Sequence, residues 1–127
     1  MRVYLATSSR GDLDKARGYL RKIHQAGHRI TLNWVAGIEA EKSMSGNELA
    51  GRALADIAAI GASEALIVVM QESMEHRMVG ASIEIGAALA AGVPVWIAQE
   101  EAKFDHFFTN HPLIRRCSSL ARVLERM

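Results

Sequence analysis

Apolar and polar positions along the chain change period several times, and each change marks an element. Val3 to Ala6 is a short apolar run of β-forming residues, followed by the turn-rich Thr7-Ser8-Ser9-Arg10-Gly11-Asp12, which reads as a buried strand ending in a loop. Leu13, Ala16, Leu20 and Ile23 then recur at helical spacing, and Gly27 stands where a helix C-terminus favours a residue tolerant of positive φ. Ile30, Leu32 and Trp34 alternate with Arg29, Thr31 and Asn33, the period-two pattern of a half-buried strand near a sheet edge. A polar segment from Gly37 to Asn47 reads as a loop. Leu49, Ala53, Ile57 and Ile60 then mark the apolar face of a second helix ending near Gly61. Ala65 to Met70 is an uninterrupted apolar run, the mark of a central parallel strand covered on both faces. A polar loop from Gln71 to Met78, a helix from about Ala81 to Ala91, the stop Gly92 and a strand over Pro94 to Ala98 repeat the unit. A long loop to Pro112 leads to Leu113-Ile114 and a closing helix that Ser118 or Ser119 can cap.

Strand and helix alternate throughout, with connections long enough for right-handed crossovers. The economical fold is α/β: a three-layer α/β/α sandwich, Rossmann-like or flavodoxin-like, around a parallel sheet of four to five strands. No repeat or linker divides residues 1–127, so a single domain is expected. In such open sheets ligands bind beyond the carboxyl ends of the strands. There the loop after the first strand, the loop after the third strand and the start of the following helix should meet.

Composition narrows the function classes. The chain of 127 residues is 50% hydrophobic and 23% charged, with 10 Gly and 2 Pro, the profile of a globular domain with its own core. A net charge of +1 offers no overall field for a nucleic-acid polymer or an anionic membrane. The local cluster Arg115, Arg116, Arg122 and Arg126 reads as a solvated face. The single cysteine, Cys117, excludes an internal disulfide and a four-thiolate zinc site and suits a reducing compartment. With no apolar leader after Met1-Arg2 and no stretch approaching the ~20 apolar residues of a membrane span, a cytoplasmic location is expected.

One residue breaks the apolar pattern where chemistry is expected. Glu84 lies between Ile83 and Ile85 in Val79-Gly80-Ala81-Ser82-Ile83-Glu84-Ile85-Gly86, within about one turn of the expected helix start. Unpaired N–H groups and the helix dipole there should keep its carboxylate ionised at neutral pH, able to act as nucleophile or charge stabiliser. The same position also suits a glutamate that merely complements the dipole. Gly80 and Ala81 allow the tight turn into the helix. Thr7 to Asp12 combines hydroxyls, a guanidinium and glycine before a helix, a possible phosphate seat or an ordinary loop with Asp12 or a serine as N-cap. It has neither Walker nor dinucleotide spacing, so no large cofactor is indicated. Asp56 falls at the edge of the second helix's apolar stripe, a position equally open to a solvent-facing aspartate. His24 and His28 are at metal-capable spacing but have no partner ligand nearby in sequence, so no metal is expected. His76, His106 and His111 are too scattered to define a site.

Val3-Tyr4-Leu5-Ala6, Asp56-Ile57, the strand Ala65 to Met70, and Gly80-Ala81-Ser82-Ile83-Glu84-Ile85-Gly86 together resemble the nucleoside 2-deoxyribosyltransferase family, whose members carry G-x-x-x-E-[IL]-G after the third strand. The Ser8-Ser9-Arg10-Gly11 loop is more similar to the branch of 2′-deoxynucleoside 5′-monophosphate N-glycosidases. The resemblance implies Glu84 as the nucleophile at the anomeric carbon, Asp56 near the base, and Tyr4 positioning the carboxylate. It implies Ser8, Ser9, Arg10 and Gly11 at the phosphate or sugar, with Gly80 and Ser82 of the signature beside the substrate. The implied substrate is a nucleoside or nucleotide, with no cofactor. The implied assembly is a homodimer or higher homo-oligomer in which a neighbour's segment around His106 to Ser119 completes the site. Glu64 stands where the family usually has aspartate, and Met78 and Val79 where many transferases have an acidic residue, which favours hydrolysis over base exchange. The alternatives are a deoxyribosyltransferase and a nucleotide-binding module without turnover.

Overall fold

The computed structural model describes residues 1–8, 12–71, 78–100, 105 and 107–127. Five strands, β1 (Arg2–Ala6), β2 (Arg29–Ile30), β3 (Ala65–Val69), β4 (Val95–Ala98) and β5 (Ile114–Cys117), form one sheet in the order β2-β1-β3-β4-β5. Every pairing is parallel, with Tyr4 opposite Leu66 and Ile67 opposite Trp96. The strand order reverses between β1 and β3, which sets the ligand crevice at their carboxyl ends. This is the expected three-layer Rossmann-like sandwich.

Period-two alternation sends the strand side chains into two cores. Tyr4, Ala6, Leu66, Val68, Val95 and Ile97 pack on one face, with Ile60 of α2 (Gly46–Gly61) and Ala81, Ile85 and Ala88 of α3 (Val79–Ala90). Val3, Leu5, Ala65, Ile67 and Val69 pack on the other, with Tyr19 and Ile23 of α1 (Leu13–Gln25) and Leu120 and Val123 of α4 (Leu120–Arg126). β3 is buried along its whole length, as an uninterrupted apolar run requires. Helix ends follow the capping residues. Asp12 caps α1, a Ser45–Glu48 capping box opens α2, Ser119 caps α4, and Gly27 takes φ 89° just beyond α1.

Three departures from the sequence reading bear on function. The second strand ends at Ile30, and Trp34–Ser43 is a 3₁₀ segment rather than strand end and loop. Beyond Ile30 the Leu5 carbonyl has lost its neighbour strand, and the Trp34 indole N–H donates to it at 2.7 Å. Second, α2 is turned relative to the expected stripe. Ile60 is buried, but Leu49, Ala53 and Ile57 are exposed, and the partly buried Arg52 and Asp56 face inward instead. Third, α3 begins at Val79, earlier than expected, so Glu84 lies in its second turn.

Candidate active site

β1 and α3 bring the central pair together. Tyr4 points from β1 to the face covered by α3, where Glu84 projects from the side of the helix that also buries Ala81, Ile85 and Ala88. A cleft of about 150 Å³ is lined by Tyr4, Thr7, Asp56, Gly80 and Glu84, with Trp34, Ile38, Glu41, Met78 and Ala81 completing its wall. It lies at the carboxyl ends of β1 and β3, where the strand order reverses.

Burial dominates the electrostatics. The Glu84 carboxyl is pushed up to about 7, first by loss of hydration and further by the negative charge of Asp56, while the Tyr4 hydroxyl pulls it back toward ionisation. The expectation of a fully ionised carboxylate is thereby corrected. With α3 starting at Val79, the carboxyl lies beyond the first turn, where the helix dipole fades, and desolvation wins. At neutral pH Glu84 is therefore divided between acid and carboxylate.

The Tyr4 phenol is pushed far above its usual range by burial and by Glu84. Its hydroxyl closes no hydrogen bond among the described residues, yet it faces Glu84 nearly enough to favour the carboxylate form. Asp56 is raised by burial, lowered by Arg52 and raised again by Glu41, and its Oδ1 is also buried without a partner. Two such polar atoms in one small cleft call for water or a ligand to meet them.

The remaining expected residues divide. Ser8 is buried at the end of β1. Ser9, Arg10 and Gly11 lie outside the described residues, as do His76 and His106. Asp12 accepts from the N–H groups of Asp14 and Lys15, and its own N–H donates to Gln71 Oε1 at 3.2 Å. Those α1 N–H groups are thus occupied by a carboxylate. Gly80 lines the cleft, and a Cβ there would lie in ordinary contact with Glu84 Oε1, at 4.0 Å. Ser82 donates to the Met78 carbonyl at 3.0 Å and lines a separate, largely apolar groove with Phe108 and His111. Sequence reasoning missed Glu41, Arg52, Trp34 and Ile38, since a polar segment read as loop carries no signal that it folds back as a cleft wall. Among the described residues no three His, Cys, Asp or Glu groups cluster as a metal site. No helix among them is long and apolar enough to cross a membrane.

The sheet order defines a flavodoxin-like α/β sandwich with a carboxyl-lined cleft at the switch point. No protein-family model matches the chain, and no curated protein matches it in sequence. Among solved structures it is similar to the CMP N-glycosidase BcmB of Clostridium botulinum, with a TM-score of 0.61 and 14% identity over 99% of this chain and 97% of that one. The likeness is one of fold.

Proposed function

We propose that the chain is an N-glycosidase that hydrolyses nucleoside or deoxynucleoside 5′-monophosphates to free base and sugar phosphate. The observation that carries this reading is the buried Glu84 carboxyl, poised near pH 7 against Tyr4 and Asp56 in a cleft with two unpaired polar atoms. The fold likeness to an N-glycosidase supports it.

In the proposed reaction the ionised Glu84 attacks the anomeric carbon as the bond from that carbon to the base nitrogen breaks. The bonding pair leaves with the base, and Asp56 orients the departing base and relays a proton to it from solvent water. Water then attacks the anomeric carbon of the glycosyl ester, Glu84 leaves as carboxylate, and the water proton passes by way of Asp56 back to solvent. Such a two-step displacement passes through oxocarbenium-like states that a close carboxylate stabilises. Tyr4 holds Glu84 in position and shifts it toward its reactive form. Ser8, with Ser9, Arg10 and Gly11, would receive the phosphate, and Gly80 would flank the substrate, whereas Ser82, bonded to the Met78 carbonyl and turned to the separate groove, has no part in this cleft.

Incubation with the ribo- and deoxynucleoside monophosphates, with free base followed by chromatography, tests the reading. Base release is expected from at least one of them, and folded protein that releases none would sink it. Adding a second free base separates hydrolysis from base exchange, since transfer yields a new nucleotide. We also read the chain as a homo-oligomer that associates through the outward faces of α2 and α3, and propose a cytoplasmic location.

A further inference from the structure

Arg52 and Glu41 stand at the cleft, and the reaction above uses neither. All three nitrogens of the Arg52 guanidinium are engaged. Nη1 donates to the Gly37 carbonyl at 2.8 Å, Nη2 to the Trp34 carbonyl at 2.8 Å, and Nε pairs with Glu41 Oε1 at 3.0 Å. The first two bonds tie the 3₁₀ segment to α2, and the third sets the Glu41 carboxylate in the cleft wall. A methyl group at Gly37 would lie 2.9 Å from Nη1 and would push the guanidinium out of this seat. The side chains of Arg52 and Glu41 are 18% and 38% exposed, which leaves the pair partly shielded from water and its geometry well defined.

The hydrogen-bonding character of the cleft follows. The Thr7 hydroxyl donates to the Val69 carbonyl and accepts from Gln71 Nε2, and the Trp34 indole is committed to Leu5. What faces a ligand is the Tyr4 hydroxyl, wholly buried and unpaired, together with the carboxyls of Glu41, Asp56 and Glu84. Arg52 pairs with Oε1 of Glu41, which lines the cleft and lies near enough to Asp56 to raise its pKa. The wall therefore accepts hydrogen bonds far more than it donates them, beside the apolar surfaces of Ile38 and Met78.

Resting on the N-glycosidase reading, we propose that Glu41, seated by Arg52, is the residue that selects the base. It accepts a hydrogen bond from an exocyclic amino group, and so favours amino bases over counterparts that carry a carbonyl in its place. A carbonyl there would face a carboxylate with no proton between them. Glu41 touches the base, and Arg52 is a positioning residue that acts through it.

Two pairs of substrates that differ at this group, CMP with UMP and AMP with IMP, in ribo and deoxy forms, provide the test. In at least one pair kcat/KM for the amino member should exceed its partner's by about tenfold or more, the worth of a hydrogen bond to a charged group. Glu41→Gln, whose amide can donate as well as accept, should bring the two members within about twofold of each other. Arg52→Met should lower the same ratio, a quantity that general structural damage does not move. Calorimetric binding of the same pairs to Glu84→Gln, with and without Glu41→Gln, supplies a readout independent of turnover. Base release without discrimination, or discrimination unchanged by Glu41→Gln, overturns the role of Glu41 and leaves the glycosidase reading standing. Discriminating binding without base release from the wild type overturns the glycosidase reading alone. Neither binding nor release overturns both.

Discussion

Glu84 combines chemical usefulness with a cost to the fold. Its carboxyl titrates near 7 in the folded chain against an ordinary value of 4.5. Between those values the native state holds a proton that the unfolded chain has lost, so this group's contribution to stability falls as pH rises from about 4.5 to 7. The loss amounts to about 3 kcal/mol at most. Glu84→Gln cannot ionise, so its melting temperature at pH 8 should exceed the wild type's by several degrees, with the gap closing near pH 4; scanning calorimetry at both values measures it. The same variant should lose base release by at least about a thousandfold while still binding nucleotide. The proposed reaction needs the carboxylate, so wild-type kcat/KM should rise with pH through an apparent pKa near 7. Tyr4→Phe removes the hydroxyl that favours ionisation, and the rising limb should move to higher pH. An isolated acid between two isoleucines was enough to single out Glu84. Its protonation was not legible, because it depends on where α3 starts and on how much water reaches the carboxyl.

At the scale of the element, α2 shows where periodicity misleads. Leu49, Ala53, Ile57 and Ile60 suggested an inward apolar face, yet the inward face carries Arg52, Asp56 and Ile60, spaced four apart. Two polar residues can face the fold because the 3₁₀ segment supplies carbonyls and a carboxylate to Arg52. That segment was itself unreadable, since its helical turns follow from tertiary contacts of Trp34 and Arg52 and not from any apolar period. Gly37→Ala places a carbon against the end of the flexible Arg52 side chain, which can shift, so its cost in denaturant titrations should stay below about 1 kcal/mol. By loosening Glu41 it should also weaken base discrimination. Where capping chemistry was local, as at Asp12, Ser119 and Gly27, the reading and the structure agree.

At the scale of the whole molecule, the rotation of α2 leaves apolar side chains without cover. Leu54 is 73% exposed, Val79 67% and Ile83 60%, on neighbouring helices over one face of the sheet. An apolar face of this kind marks an interaction surface, and a second copy of the chain is the occupant expected. Sedimentation equilibrium should find a dimer or larger species for the wild type. Leu54→Lys combined with Ile83→Lys should reduce it to the mass of a single chain with the fold intact by circular dichroism. The sequence by itself determined the alternation of strands and helices and the sandwich they build. These depend on local periodicity and on the handedness of crossovers, both carried by neighbouring residues. Only the tertiary structure decided which face of α2 turns inward, that a polar segment closes over the cleft, and that Glu84 shares its proton near neutrality. Each of those is set by burial and by charges distant in sequence, which no local pattern encodes.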